Sequence, residues 1–94
     1  MNHSAKARSA RPEIRNPVLA LPSARKLAEM DPVSRRAVEA VLRDLADDAR
    51  ARADKAWRSH KAPMAAYWKA VSVYARHLAR ALRSAQRLRG GADG

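Results

Sequence analysis

The residues best able to do chemistry in this chain of 94 residues are basic ones in its last third. On a helix, at about 100° per residue, one lysine and four arginines share an arc of about 60° opposite the apolar stripe. We name this set the basic row: Lys69, Arg76, Arg80, Arg83 and Arg87. It spans about 27 Å at a rise of about 1.5 Å per residue. Residues 63–89 contain no acidic residue, so the row suits a phosphate backbone or an acidic groove better than an ordinary solvated face.

Aromatic side chains lie near the start of the same segment. Trp57, Tyr67 and Trp68 flank a predicted turn. The helical wheel puts Tyr67, Trp68 and Tyr74 on the apolar stripe, which predicts that they pack in the core. The alternative is that Trp57, Tyr67 or Trp68 stacks on a base or anchors a protein partner. His77 falls at the border between the apolar and basic faces, where an edge residue is more common than a ligand.

Catalytic and metal-binding patterns are missing from the sequence. We find no acid pair, no nucleophile beside a base and no glycine-rich phosphate loop. The chain has no cysteine, and its three histidines are scattered. We therefore expect a protein that is not an enzyme and that holds neither a metal nor a cofactor.

Composition limits the core and indicates the partner. Hydrophobic residues make up 47% of the chain, but 22 of these positions are alanine, which predicts a thin core that a homodimer or a bound partner could complete. The formal net charge is +11, from 20 basic and 9 acidic residues. No segment approaches the roughly 20 apolar residues of a membrane span, and the first residues lack the apolar stretch of a secretory signal. We expect a protein of the cytoplasm with no membrane partner.

Proline and glycine residues mark the boundaries of the predicted elements. Residues 1–17 are basic and poor in large apolar side chains, which predicts a disordered arm. We expect one helical domain over 18–89: a short extended lid at 18–21, helices at about 24–30, 32–59 and 63–88, and a flexible tail at 90–94 after the stop at Gly90 and Gly91. Asp31-Pro32 marks the start of the first long helix, and Pro63 separates it from the second.

Apolar residues recur every three or four positions in both long helices, as on one helix face. In the first helix the stripe comprises Val38, Val41, Leu42, Leu45, Ala46, Ala49, Ala53, Ala56 and Trp57. In the second it comprises Met64, Tyr67, Trp68, Val71, Tyr74, Ala75, Leu78, Leu82 and Ala85. The other face of the first helix alternates in charge at a spacing of four, which predicts a solvated ladder beginning Arg35, Glu39, Arg43, Asp47.

The predicted fold is thus all-α: an antiparallel hairpin of two long amphipathic helices with a short N-terminal helix and a basic arm. A single kinked helix over 32–88 is the alternative, because the turn at 59–62 has neither glycine nor a strong capping residue. A second alternative concerns Val33-Ser34 and the residues to Leu42, which resemble the recognition half of a lac-repressor-type helix-turn-helix. That motif has a glycine turn, whereas this chain has Glu29-Met30-Asp31-Pro32.

Several stretches resemble small accessory proteins of phages, prophages and plasmids in GC-rich bacteria. The similarity lies in Leu21–Leu27, Asp31-Pro32 with Ser34-Arg35, Ala49–Trp57 and Lys61–Lys69. This resemblance implies a single-domain protein of a mobile element. Proteins of that kind include stoichiometric inhibitors of host defence, among them anti-CRISPR proteins, and small DNA-binding factors.

The sequence therefore predicts a non-enzymatic accessory protein that binds nucleic acid, mostly its phosphate backbone, through the basic row. The alternative is a stoichiometric inhibitor that binds an acidic or nucleic-acid-binding protein complex through the basic row and aromatic anchors. A structural subunit of a homo-oligomer is a third possibility.

Overall fold

The chain folds into a helical hairpin with two short helices before it. The computed structural model describes residues 16–93, and side chains are described for residues 16–85. Two 3₁₀ helices, Pro17–Ala20 and Ala24–Glu29, precede helix α1, Pro32–Arg58, and helix α2, Ala62–Asp93. The two long helices pack against each other along their length. The all-α hairpin is therefore confirmed, and the single kinked helix is wrong.

Helix α1 begins where Asp31-Pro32 predicts. The Asp31 carboxylate accepts a hydrogen bond of 2.9 Å from the backbone N–H of Ser34, and Pro32 occupies the first turn, where its missing N–H is not needed. This backbone hydrogen bond lowers the pKa of the Asp31 carboxyl because it stabilises the ionised form.

The turn between the helices is made by a residue other than glycine. His60 has a φ of 61°, in the left-handed region. Its N–H donates to the carbonyl of Trp57 at 3.0 Å, and the N–H of Lys61 donates to the carbonyl of Ala56 at 2.8 Å. This pair of bonds is a Schellman motif, which satisfies the last carbonyls of α1 and reverses the chain. Pro63 then lies in the first turn of α2, where proline is tolerated.

Alanines form the contact between α1 and α2. Ala46, Ala49 and Ala53 of α1 are buried, as are Ala65 and several further alanines of α2. The Ser72 hydroxyl, also buried, donates a 2.9 Å hydrogen bond to the backbone carbonyl of Ala46 on the other helix. A side chain this short reaches a neighbouring backbone only where the helix axes lie close together.

The faces through which α1 and α2 meet differ from both predicted apolar stripes. Most of their alanines are buried, but most of their large members are exposed: Val38, Val41, Leu45, Trp57, Met64, Tyr67, Tyr74 and Leu78. The face of α2 that meets α1 is rotated by roughly 70° from the center of the predicted stripe, toward Ala65, Ser72 and Ala79. Packing on the alanine faces brings the backbones together, whereas the tyrosines and leucines would hold the helices apart.

The N-terminal segment is ordered earlier than predicted. Asn16 is buried, and its side chain donates to the carbonyl of His77 at 2.7 Å and accepts from the N–H of Val18 at 3.0 Å. These bonds tie the start of the domain to α2. The expected disordered arm therefore does not include Asn16 or Pro17, while residues 1–15 lie outside the described part of the chain.

The lid and the short helix are both 3₁₀ helices. The sequence predicts an extended piece at 18–21, which is instead helical, and a short helix at about 24–30, which is present as Ala24–Glu29. Ser23 makes no side-chain cap. Both 3₁₀ helices pack on α2. Ala81 is fully buried although it lies about 200° around α2 from Ala79, which faces α1. The covering role expected for the lid explains the burial of this second face.

The largest fully buried side chain in the described region is that of Arg35. Its guanidinium donates to the carbonyl of Met30 at 3.0 Å, just before α1. The expectation of a solvated ladder is therefore wrong for Arg35, because the turn that leads into α1 folds over it. The next members of the ladder do pair, as Arg43 bonds Glu39 at 2.8 Å, although Glu39 is only 13% exposed.

Helix α2 also extends beyond its expected end. Its backbone stays helical to Asp93, through Gly90 and Gly91, whereas the sequence predicts a stop after Leu88. Glycine disfavours a helix by roughly 1 kcal/mol but keeps its N–H and carbonyl, so it does not block the hydrogen bonds.

The left-handed turn residue yields a stability prediction. Replacing His60 with glycine removes the steric cost of a Cβ at positive φ, so we expect His60→Gly to raise the free energy of unfolding by about 1 kcal/mol. Ser59→Gly is the matched control, because Ser59 has a φ of −92° and gains nothing from glycine. Urea denaturation followed by circular dichroism measures both. Equal effects of the two variants would contradict the assigned turn.

The buried arginine yields a second prediction. Arg35→Ala removes the bond to Met30 and empties a packed site, so we expect a loss of about 2–3 kcal/mol in the free energy of unfolding. Arg36→Ala, at an exposed neighbouring position, should change the stability by less than about 0.5 kcal/mol. Arg35→Met should lie closer to the wild type, since an apolar side chain of similar length refills the site. Thermal denaturation of the three variants compares them, and a neutral Arg35→Ala would show that the side chain does not pack as described.

Candidate nucleic-acid interface

A groove runs between α1 and α2 near the turn of the hairpin. Its volume is about 620 Å³. Charged and aromatic side chains line it together with small apolar residues: Arg50, Asp54, Trp57, Lys69 and Arg76. We name it the basic groove, because three cations and one carboxylate leave its lining with a net charge of +2.

Trp57 forms part of the wall of the basic groove. Its side chain is 69% exposed, so the prediction that it packs in the core is wrong. Trp57 lies one turn or two along α1 from Asp54 and Arg50, on the same side of the helix. An indole ring that is open to solvent in a groove with cationic side chains can stack on a planar ligand while the cations neutralise the charge of that ligand.

The basic row lies beside the helix contact rather than opposite it. Because α2 meets α1 through its alanine face, Arg76 and Arg83 are close enough to reach α1. Arg76 pairs with Asp47 at 3.5 Å, and Arg83 pairs with Glu39 at 3.4 Å. The absence of acidic residues from residues 63–89 therefore does not leave the row unpaired, since α1 supplies the carboxylates.

The two interhelical ion pairs differ in environment. Glu39 is only 13% exposed and also binds Arg43, so it holds Arg83 in a network. Asp47 is 78% exposed, and its single contact with Arg76 is long, so solvent screens that pair strongly. Arg76 can exchange Asp47 for another anion more readily than Arg83 can leave Glu39.

Of the four members of the basic row whose side chains the structure describes, Lys69 and Arg80 have the most accessible charge. Both are exposed, and no carboxylate of residues 16–85 forms an ion pair with either. Lys69 lines the basic groove, and Arg80 follows Arg76 by one helical turn on the same side of α2. The side chain of Arg87 lies outside the described residues.

The other predicted aromatic anchors lie elsewhere. Trp68 is half-buried, with the guanidinium of Arg52 at 5.0 Å from its ring center and the ring of Tyr67 at 5.1 Å. Arg52 is itself fixed by Asp48 at 2.7 Å. Trp68 is therefore occupied by partners within the chain, and Tyr67 is exposed on the other side of the hairpin.

Sequence reasoning missed Arg50, which contributes one of the three cations of the basic groove. Its spacing from Asp54 and Trp57, of four and seven residues, places the three on one helix side. That signal becomes useful only when the packing face of α1 is known to lie on its alanines. The apolar stripe alone assigned Trp57 to the interior and hid the group.

Neither a metal-binding cluster nor a membrane-spanning helix is present in the part of the chain that the structure describes. No group of three or more histidine, cysteine, aspartate or glutamate side chains there is arranged to hold a metal ion. None of the helices described combines the length and the apolar character needed to cross a membrane.

Comparisons with known proteins add no identification. No family model matches the sequence, and searches of the curated proteins and of the solved structures found no match. The resemblance to accessory proteins of mobile elements therefore stays a prediction, and what the chain binds must be inferred from its own residues and geometry.

Proposed function

We propose that the protein binds single-stranded nucleic acid along the basic groove and the adjoining part of the basic row. The observation that carries this proposal is the exposed indole of Trp57 in a groove that Arg50, Lys69 and Arg76 also line. Proteins that bind single strands without sequence preference combine a cationic groove with aromatic rings on which bases stack. The role is non-enzymatic, that of an accessory protein in the cytoplasm of a bacterial cell.

Stacking favours a single strand over a duplex as the ligand. A base in a duplex already has both faces covered by its neighbours, whereas a base in a single strand can place one face on Trp57. Each such contact contributes about 1–3 kcal/mol and tolerates every base, because each base has a π face. Recognition is then largely independent of sequence.

The cations differ in what they offer the phosphates. Lys69 and Arg80 have accessible charge, and Arg76 shares its charge with the solvated Asp47. A phosphate at Arg76 must displace one weak pair, whereas at Arg83 it must compete with a carboxylate that is 13% exposed and already bound twice. We infer that Lys69, Arg76 and Arg80 supply most of the electrostatic affinity, while Arg83 joins the two helices.

Charge reversal on α2 tests the electrostatic part. The double variant Lys69→Glu with Arg80→Glu should weaken binding of a fluorescent oligothymidylate of about 20 nucleotides by tenfold or more. The slope of the logarithm of affinity against the logarithm of salt concentration should fall by about 1.4, because two phosphate contacts are lost at about 0.7 each. Fluorescence anisotropy across a salt series measures both quantities.

The matched control reverses two basic residues on the second 3₁₀ helix. Arg25→Glu with Lys26→Glu lowers the formal net charge from +11 to +7, as the first double variant does, and should keep most of the affinity. Equal losses in both variants would show that only net charge matters. Binding that salt does not weaken would also contradict the proposal.

Removal of the indole tests the stacking part. Trp57→Ala should weaken binding of the same oligothymidylate by about tenfold with an unchanged salt slope, because stacking contributes about 1–3 kcal/mol and involves no ion release. Tyr67→Ala removes another exposed aromatic ring, 58% exposed and outside the basic groove, and should leave the affinity unchanged. Anisotropy measures both variants, and an unaffected Trp57→Ala would remove Trp57 from the site.

The alternative function is a stoichiometric inhibitor that uses the same cations on an acidic protein surface. Nuclease-treated protein separates the two proposals. Recovery of one protein complex from a host extract, together with no binding of oligothymidylate, would favour the inhibitor and contradict nucleic-acid binding.

A further inference from the structure

The hairpin buries its small apolar side chains and exposes most of its large ones. Nine hydrophobic residues are buried among those described, and eight of them are alanine, with Leu82 as the exception. Larger apolar side chains of both helices are exposed instead. A small helical domain that buries mostly alanine gains little from its core, since burial stabilises in proportion to apolar area.

The exposed residues lie together on one side of the hairpin. Val38, Val41 and Leu45 follow one another on α1 at spacings of three and four, and Tyr67, Tyr74 and Leu78 do so on α2 at spacings of seven and four. We name these six residues the apolar flank. A shallow groove of about 320 Å³ between Leu45 on α1 and Tyr67, Tyr74 and Leu78 on α2 joins the two halves.

The apolar flank lies on the opposite side of the hairpin from the basic groove. On α2, Tyr74 and Arg76 flank the buried Ala75 at about 100° to either side. Of the residues that line the shallow groove, none carries a charge. The charged residue beside its aromatic end, Arg52, is paired with Asp48.

We propose that the apolar flank is the interface of a homodimer, in which a second copy of this chain packs its own apolar flank against the first. Two hairpins that meet in this way about a two-fold axis form a four-helix bundle of two layers, one hairpin in each. The tyrosines, valines and leucines then enter a shared core, which supplies the apolar burial that the single hairpin lacks.

The area of the flank fits this partner. Its six side chains expose on the order of 500 Å², at the upper end of what a typical monomer shows in one patch. A stable interface buries about 800 Å² per partner, and the residues around the flank, such as Met64 and the half-buried Leu42 and Val71, extend it toward that size.

The charge distribution of the chain favours a second copy over other partners on the apolar flank. A chain with a net charge of +11 repels its own kind, so self-association needs a face without cations. The six residues of the apolar flank carry no charge, and Arg52, which lies beside them, is paired with Asp48. Packing through the apolar flank places both basic grooves on the outer surfaces. Nucleic acid or an acidic partner finds no complementary charge on this flank.

The composition of residues 1–15 offers little apolar area to match the apolar flank. Residues 1–15 contain one large apolar side chain besides the first methionine, Ile14. A segment of this composition lacks the apolar area to match two tyrosines, two valines and two leucines.

Sedimentation equilibrium of nuclease-treated protein tests the proposal. We expect the wild type to show twice the chain mass of 10.4 kDa at tens of micromolar and to approach the monomer mass on dilution. Val41→Lys should raise the dimer dissociation constant at least about tenfold, because it puts an unpaired charge in the apolar interface. Val33→Lys is the matched control, since both valines are on α1 and similarly exposed, at 65% and 70%.

Both valines are exposed in the single hairpin, so circular dichroism should show unchanged helicity in both variants. A wild type that stays monomeric throughout, or a Val41→Lys variant that dimerises like Val33→Lys, would overturn the proposal. Binding of a monomeric wild type to phosphatidylcholine vesicles, lost in Val41→Lys, would also overturn it and assign the flank to a lipid surface. The basic groove is intact in Val41→Lys, so binding of oligothymidylate reports on it separately.

Discussion

The close approach of α1 and α2 through alanine is the constraint on which the rest of the structure depends. The bond from the Ser72 hydroxyl to the Ala46 carbonyl, 2.9 Å long, reports that approach directly. Dispersion contacts between two backbones replace the burial of large side chains as the main attraction. Because α1 and α2 contact each other through their alanine faces, the valines, tyrosines and leucines lie on one side of the hairpin. Cations and carboxylates come together on the other side.

The local signals in the sequence predict the hairpin, because they act within a few residues. Asp31-Pro32 caps and starts α1, and Pro63 limits where α2 can begin. The rotation of the helices is not local. Apolar periodicity weighs a tyrosine above an alanine, whereas packing depends on how closely two backbones can approach, which needs both helices at once. For a similar reason, the sequence does not predict the left-handed conformation of His60. The steric cost of that conformation is offset by the backbone hydrogen bonds that the carbonyls of Ala56 and Trp57 accept.

The sequence of each helix, taken alone, predicts only part of the candidate site. The helical wheel of the second helix correctly groups Lys69, Arg76 and Arg80, but residues 63–89 contain no carboxylate, so the wheel leaves the whole row unpaired. Asp47 and Glu39 of α1 change that result, because they engage Arg76 and Arg83 across the hairpin. Arg50 and Trp57 enter the site by the same route, from a helix whose own charge pattern reads as an ordinary solvated ladder.

The apolar flank and the basic groove place compatible requirements on the chain. A strongly basic protein gains solubility and phosphate affinity from its charge but loses the ability to associate with itself, unless its charges are kept away from one face. At physiological salt, interactions weaken over about 8 Å, and two hairpin layers, each about one helix diameter of 10 Å thick, separate basic grooves on opposite outer surfaces by more than that distance. Dimerisation through the apolar flank would therefore add little repulsion, and each copy would keep its own groove open to a strand.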